Sequence, residues 1–303
     1  MKDPLEITKP CIACASWSRR WRRTRKCEAC DGVRNLPIDL SNTWQTQPGF
    51  LVCGGPSLQT LDLSHLQLPS VVSMGVNNAA SYARTTAMTF GDPQWKFHGS
   101  LFLDPKCMCF APTGKLERLV RVRLHDGHFR FLNRRLRECP AVYGLPRTGK
   151  FEAATFLTDT YAHWGKGGKH EDREFTRLAS MLLGVRLLHY LGCKTIYMLG
   201  VDFWMPEDGG YAWGGPRTSG NKIWWKIDSM LKEVRTVLEA SDTSVYNCNP
   251  RSKCEAFDHV SYPDALRHAR SMFEDQSENL EEWYRRDRMT EDQKLYPDPI
   301  EPW

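Results

Sequence analysis

The 303-residue sequence has no uninterrupted apolar run of about 18 residues, the length that crosses a membrane. Its first residues, MKDPLEITKPC, lack the apolar centre of a signal peptide, so the sequence predicts a cytoplasmic protein. It contains neither a P-loop nor a GxGxxG motif, and it shows no internal repeat or low-complexity tract. These absences argue against a membrane protein, against a nucleotide site of the P-loop or GxGxxG type, and against a repeat architecture.

Composition and charge describe a globular chain with a basic body and an acidic end. The sequence is 41% hydrophobic, 11% aromatic and 25% charged, which supplies enough apolar material for a folded core. The net charge is +5, but residues 271–303 carry ten acidic and four basic side chains, so residues 1–270 carry +11. A basic body predicts an anionic partner, and the alternative is an ordinary basic enzyme with a solubilising tail.

Four of the 11 cysteines have the spacing of a zinc site. Cys11 and Cys14 form one CxxC pair, and Cys27 and Cys30 form a second pair twelve residues later. Two such pairs hold zinc tetrahedrally through four thiolates, in a closed site that is structural rather than catalytic. Disulfides are the alternative, which the predicted cytoplasmic location disfavours.

Two stretches of the sequence concentrate positive charge. The loop between the cysteine pairs, ASWSRRWRRTRK, contains six basic residues, no acid and two tryptophans. Because guanidinium groups bind phosphates and indoles stack on unpaired bases, this arm predicts contact with DNA. In the alternative interpretation the arginines form a solvated face and the tryptophans anchor the module. Residues 115–137 hold eight basic and two acidic residues with the alternation of a strand.

The body of the chain alternates short apolar runs with helical patterns. Three apolar runs end in glycine or polar residues: 49–53 before Gly54, Gly55 and Ser57, 70–76 before Asn77 and Asn78, and 194–199 before Asp202. The carboxyl ends of parallel strands form the ligand-binding edge of an open α/β sheet. We therefore expect the glycine turn to approach a phosphate and the two asparagines to contact a nucleoside.

The sequence predicts an α/β fold, a Rossmann-like mostly parallel sheet with helices on both faces, together with a small N-terminal zinc-binding module. The predicted divisions are a zinc module with a basic arm at 1–34, a linker at 35–48, a nucleotide-dependent transferase domain at 49–270 and an acidic tail at 271–303.

The motifs of the main domain resemble those of a known group. GGPSL, VNN, the segment RLASMLLGVRLLHYLGCKTIYMLGVDF, YAW and NCNPRS look like the single-domain Rossmann fold of bacterial lipooligosaccharide sialyltransferases. The pattern is also similar to the 6-hydroxymethylpterin pyrophosphokinase-like family, which shares that fold. The resemblance covers about residues 49–266. It implies a transferase that uses a nucleotide-activated donor and has no need of a metal.

The resemblance also implies roles for individual residues. Gly54, Gly55 and Ser57 would cradle the donor phosphate, and Asn77 would help to read the nucleotide. The remaining positions that it brings to the site are Arg177 and Ser180 at the start of the long helix, and Trp204 and Tyr211 against the donor phosphate.

The sequence departs from the sialyltransferases at the catalytic base. Those enzymes have a histidine before the next helix, whereas this chain has none between His189 and His259. Asp202 and Asp208 are the candidate bases, since a carboxylate at the sheet edge can accept a proton from an acceptor hydroxyl. The alternative for Asp202 is a helix cap or a structural hydrogen bond.

Three functions stay open at this point. The first is sugar transfer from a nucleotide donor, including transfer to a hydroxymethylated base in viral DNA, flipped out of a duplex in the host cytoplasm. The second is diphosphate or nucleotidyl transfer to a small molecule with carboxylate-held Mg²⁺. The third is a non-catalytic, zinc-containing protein that binds nucleic acid. A Gly/Lys-rich segment with His163 and His170 would give either enzyme a mobile lid.

Overall fold

The computed structural model describes residues 3–11, 27, 35–68, 70–92, 97, 100–123, 129–148, 151–166, 177–205, 209–214 and 224–272. Its strands are β1 (Thr8–Pro10), β2 (Asn35–Pro37), β3 (Gly49–Val52), β4 (Val72–Val76), β5 (Ala87–Thr89), β6 (Met108–Pro112), β7 (Leu119–Arg123), β8 (Phe129–Arg135), β9 (Val142–Leu145), β10 (Arg147–Thr148), β11 (Ala162–His163), β12 (Gly165–Lys166), β13 (Arg177–Leu178), β14 (Thr195–Leu199), β15 (Ser244–Asn247) and β16 (Asp258–His259). Its α-helices are α1 (Ala79–Tyr82), α2 (Ser100–Leu103), α3 (Ser180–Tyr190), α4 (Trp224–Glu239) and α5 (Tyr262–Ser271). Short 3-10 helices span Pro56–Thr60, Leu63–Gln67, Thr113–Lys115, Leu136–Glu138 and Ala153–Thr155.

Ten strands form one sheet in the order β16-β15-β14-β3-β4-β5-β6-β9-β1-β2. All neighbours from β16 to β9 pair in parallel, and β1 and β2 close one edge antiparallel. The chain builds outward from β3 in one direction through β4, β5 and β6, and later returns to the other side of β3 with β14 and β15. The predicted α/β fold with a mostly parallel, Rossmann-like sheet is confirmed.

Alternate residues of the central strands enter two separate apolar cores. Leu51 of β3 and Met198 of β14 pack with α3 and α4 on one face of the sheet. Phe50 of β3 and Leu199 of β14 pack with α5 on the other face. Because both faces are covered, these strands read as continuous apolar runs, which is why the sequence shows them clearly. None of the helices in the described part is long and apolar enough to span a membrane.

The N-terminal residues are joined to the main domain. β1 pairs with β9 through Thr8 and Gly144, and β2 continues the sheet beyond β1. In the segment 38–47 the side chain of Trp44 is buried, and its backbone N–H donates to Leu191 O at 2.6 Å. The segment expected to be a linker therefore packs against the domain. The basic arm and the chain from 273 onward lie outside the described residues.

Candidate active site

The strand order of the sheet reverses between β3 and β14, so a crevice is expected outside their carboxyl ends. β3 ends in the Gly54–Gly55 turn and β14 ends at Gly200. The N–H of Cys53 donates to Leu199 O, and the N–H of Gly55 donates to Gly200 O, both at 2.8 Å. These bonds fix the two strand ends against each other and place the glycine turn beside Asp202.

Asp202 is buried in this turn, with 7% of its surface exposed. Its Oδ2 accepts from the Ser57 N–H at 2.9 Å, in the first turn of the 3-10 helix, and its Oδ1 accepts from Asn249 Nδ2 at 2.6 Å. Both oxygens thus make structural hydrogen bonds, which was the alternative that the sequence left for Asp202, and each oxygen keeps a second lone pair. Burial, with the charge of Asp202 as the next cause, raises the pKa of the neighbouring Cys53 thiol to about 12.

Most amides of the glycine turn already have acceptors inside the protein. The N–H groups of Gly55 and Ser57 are bound as described, and that of Leu58 donates to Gly55 O at 3.2 Å. The donors left for a ligand are the Gly54 amide and the Ser57 hydroxyl, whose oxygen is buried with no hydrogen-bond partner in the described structure. A phosphate cradle built from several turn amides, as the sequence suggests, would need the turn to rearrange.

Two stacked aromatic rings cover the glycine turn. The rings of Tyr211 and Trp213 are parallel within 5° with centroids 5.0 Å apart, and the Ala212 N–H between them donates to Gly54 O at 3.0 Å. A Cβ on Gly54 would lie 2.5 Å from the Trp213 ring, so a glycine is required there. Tyr211 is half-buried at the position that the sequence assigns to it, and Trp204 is half-exposed beyond β14.

Asn77 lies at the carboxyl end of β4, next to β3, in a left-handed conformation with φ of 54°. Its side-chain oxygen accepts from the N–H groups of Gly91 and Asp92 at 2.9 and 3.3 Å. The side chain therefore links the ends of β4 and β5. Asn78 begins α1, and its side chain makes no capping bond there.

Ser180 begins α3 beside the same Gly91. Its hydroxyl accepts from Trp164 Nε1 at 3.3 Å, and a Cβ on Gly91 would lie 2.5 Å from that hydroxyl. Arg177 lies in β13, three residues before Ser180, opposite Lys166 of β12. The structure thus brings Gly54, Gly55, Ser57 and Tyr211 together around Asp202, and Asn77 and Ser180 together around Gly91. Asp208 and His170 lie outside the described residues.

His163 is buried away from these groups. Its Nε2 lies 3.1 Å from Asp159 Oδ2, and its Nδ1 accepts from the Glu152 N–H at 3.4 Å. These contacts give it a place in the core beside Phe156 rather than in a lid.

The predicted zinc ligands are only partly within the described residues. Cys11 and Cys27 are both buried free thiols, which suits metal ligands, whereas Cys14 and Cys30 lie outside. Across the ranges that the structure describes, no three metal-binding side chains come together. Cys53 and Cys193 are core residues.

Sequence reasoning missed several polar residues at this edge of the sheet. Asn249 binds Asp202 from the end of β15, and Lys115, Arg147 and Trp164 surround Gly91. Asn249 and Lys115 do follow apolar runs, and that position was the available signal. Arg147 and Trp164 are brought together by two-residue strands that have no sequence signature.

Comparisons with known proteins give one distant likeness. No protein-family model and no curated protein matches the chain. Among solved structures, the chain is similar to a sialyltransferase from Campylobacter jejuni, determined with the substrate analogue cytidine-5'-monophosphate. The identity is 15%, the match covers 72% of this chain and 86% of the other, and the TM-score is 0.39. A likeness at this level identifies neither a family nor a substrate.

Proposed function

We propose that the chain is a glycosyltransferase-like enzyme that moves a sugar from a nucleotide-activated donor to an acceptor hydroxyl. The observation that carries the proposal is the reversal of strand order between β3 and β14, with a glycine turn and paired aromatic rings at the reversal. Ligands of open α/β sheets bind at such a point. The sequence motifs that resemble sialyltransferases lie at this same edge.

Residues at the reversal and beside Gly91 would each bind a different part of the donor. The Gly54 amide and the Ser57 hydroxyl, which has no partner in the described structure, are the hydrogen-bond donors proposed for the donor phosphate. Tyr211 covers the turn and, together with Arg177, would stabilise charge on the leaving phosphate. Asn77 presents its remaining amide donors to the nucleoside. Asp202 holds the turn in shape, so we assign it a positioning role.

A thermal-shift screen of CMP, UDP, GDP and ATP tests donor binding. A nucleotide that binds the folded state raises the melting temperature in proportion to the logarithm of its concentration once the site saturates. We expect at least one of the four to do so, and we expect Tyr211→Ala to reduce the shift. If none of them moves the melting temperature of the full chain, the proposal fails.

The acceptor proposal rests on a basic β-ribbon. β7 and β8 form a separate two-stranded antiparallel sheet, with Arg121 opposite Phe131. Phe131 is 59% exposed, and the Arg121 guanidinium lies 5.5 Å from its ring. Arg130 and Arg134 are exposed on the same ribbon. A cationic ribbon with an exposed ring suits a nucleic-acid strand, so we propose DNA carrying a hydroxylated base as the acceptor.

Salt-dependent DNA binding tests this acceptor. Removing two phosphate contacts in Arg130→Gln/Arg134→Gln should reduce the slope of log affinity against log salt by roughly 0.7 to 0.9 per arginine. The matched control is Arg84→Gln/Arg267→Gln, which removes two exposed arginines away from the ribbon. Equal slopes for the two variants would remove the ribbon from the proposal.

The zinc module remains part of the proposal. Cys11, Cys14, Cys27 and Cys30 would hold one zinc ion, which would hold the basic arm between the two cysteine pairs in a fixed position. Native mass spectrometry of the full chain should show one zinc per protein. Replacing Cys11 and Cys27 by serine should remove the metal, while Cys53→Ser should keep it.

A further inference from the structure

A second group of polar residues lies along the carboxyl edge, two to four strands from β3, and it is centred on Arg147. β10 and β11 pair in parallel, which sets Arg147 beside Trp164, the residue that follows β11. The guanidinium lies 3.7 Å from the centre of the Trp164 ring. Its Nη1 is buried and has no hydrogen-bond partner in the described structure. Burial lowers the pKa of Arg147 to about 10.

Lys115 brings a second cation to the same place. It follows β6, and its Nζ donates to Gly91 O at 3.0 Å and to Asp92 O at 2.7 Å. Burial, Arg147 and Arg118, in that order, lower the pKa of Lys115 to about 8. The carboxylate of Asp92 acts in the opposite direction and is the weakest of these causes.

This arrangement is unfavourable in the protein alone. Two half-buried cations repel each other, and a buried guanidinium N–H without an acceptor loses its hydration with no replacement. Buried polar groups in folded proteins are otherwise hydrogen-bonded, so an orphaned one calls for a partner. The partner that satisfies both cations is an oxyanion, because guanidinium donors match the geometry of carboxylates and phosphates.

Trp164 and the start of α3 would hold the oxyanion beside the two cations. Trp164 holds the guanidinium plane by stacking and binds the Ser180 hydroxyl at 3.3 Å, so the first turn of the eleven-residue helix α3 lies next to the cations. The positive end of a helix favours an anion as well. Trp164 O accepts from the Ala179 N–H at 2.8 Å, which fixes the helix start against the tryptophan.

We propose that Lys115, Arg147 and Trp164 form an oxyanion subsite that binds a carboxylate or phosphate of the transferred group or of the acceptor. The contacts with Gly91 centre it over the ends of β5 and β6, which are two and three strands from β3, or roughly 10 to 14 Å. It is therefore separate from the glycine turn. The source of the anion rests on the proposed function, whereas the binding of an oxyanion does not.

The test measures oxyanion binding directly, with inorganic phosphate and malonate as probes at constant ionic strength. We expect the melting temperature of the wild type and of Arg84→Gln, an exposed arginine before the amino end of β5, to rise with the logarithm of the probe concentration above the dissociation constant. Arg147→Gln and Lys115→Gln should each weaken that binding at least tenfold. Each variant loses contacts of the cation as well as its charge, so binding is compared as the change in melting temperature that the probe causes in each protein. Arg147→Lys is the fallback if Arg147→Gln misfolds.

The outcomes separate the subsite from the proposed function. No shift in melting temperature with either probe, or equal shifts in wild type and Arg147→Gln, would overturn the subsite. Whichever probe binds tells whether a phosphate or a carboxylate is its ligand. Nucleotide titrations of Arg147→Gln complete the comparison. We expect this variant to bind nucleotide normally while it loses oxyanion binding. Loss of nucleotide binding would instead assign Arg147 to the donor phosphate. Oxyanion binding without any nucleotide binding would leave the subsite standing and remove the transferase.

Discussion

Gly55 determines the shape of the candidate site because two segments meet where its side chain would be. A Cβ there would overlap the Asp202 carboxylate and lie 2.6 Å from Gly200 O. The φ of this residue is −68°, so space rather than backbone conformation requires the glycine. An alanine would have to displace the buried carboxylate that caps the following helix.

We predict that Gly55→Ala destabilises the protein by about 1 to 3 kcal/mol, the usual cost of overpacking a site that cannot relax. Gly114→Ala is the matched control, because nothing lies within 4 Å of its Cβ position. Urea unfolding of the three proteins measures the difference. Equal midpoints for the two variants would show that the Gly55–Asp202 contact is not needed.

The polar residues of the site illustrate how far single positions can be predicted. Asp202 and Asn77 were found because each follows an apolar run that had to be a strand. Asn249 also follows an apolar run, but nothing in that run indicates its bond to Asp202, which is 47 positions away in the chain. Local pattern therefore places a residue at the sheet edge, whereas its hydrogen bonds depend on which strands become neighbours.

Helix α3 is the element that connects the site to the rest of the domain. Its first residue lies at Gly91, and Arg186, two turns further, is completely buried against the N-terminal segment. Arg186 donates to both carboxylate oxygens of Asp3 at 2.5 Å and to Leu157 O at 3.1 Å. The N-terminal residues thereby neutralise a charge in the middle of the core.

We predict that Asp3→Ala costs about 3 to 5 kcal/mol, because it leaves the buried guanidinium without its counter-ion. Asp242→Asn is the control, since Asp242 is 97% exposed and 3.9 Å from Lys194. That exposed pair should contribute less than about 1 kcal/mol. Chemical unfolding provides both values, and a cost for Asp3→Ala no larger than the control would contradict the account of this buried pair.

The last turn of α3 carries a histidine that folding keeps neutral. His189 lies 3.0 Å from Thr243 Oγ1, and burial, followed by the charge of Arg186, lowers its pKa from 6.5 to about 4. Asp3 acts in the opposite direction, and Lys194 lowers the pKa further. A cation at a helix C-terminus is normally favourable, so burial and the nearby arginine prevail here.

This histidine predicts a pH dependence of stability. Below its ordinary pKa the unfolded chain takes up a proton on His189, while the folded chain does so only near its lowered pKa of about 4. Stability should therefore fall as the pH drops from 6.5 to about 4, by roughly 3 kcal/mol from this residue. His189→Gln should remove that part of the slope, while the exposed His259→Gln should keep it. Unfolding measured across this pH range decides between them.

Elements with strong periodicity were predicted well, and short ones were not. Apolar residues recur at helical spacing through 223–238, and α4 spans Trp224–Glu239. It did not place β1 and β2 in the sheet, because three-residue strands ending in proline carry little pattern and their partners are distant in the chain. The segment 35–48, expected to be a linker, is part of the domain because it bonds to residues that are distant in the chain.

At the scale of the whole molecule, the sheet order creates the candidate site. Strands β4, β5 and β6 extend on one side of β3, and β14 and β15 on the other, so the order of these strands reverses where β3 meets β14. The fold class could be predicted from alternating helices and strands. The position of the reversal could not, since every order of the same strands gives the same local pattern.

Hydrogen exchange of the full chain, with and without a saturating nucleotide, most directly tests whether a nucleotide binds where the strand order reverses between β3 and β14. We predict that the nucleotide slows exchange in two separate segments, 54–60 and 209–214, because they form the glycine turn and the aromatic cover over it. Exchange in α5, which packs on the face of the sheet opposite α3, should be unchanged. Unchanged exchange in both segments, with protection confined to other parts of the chain, would contradict a nucleotide site at the reversal of the sheet.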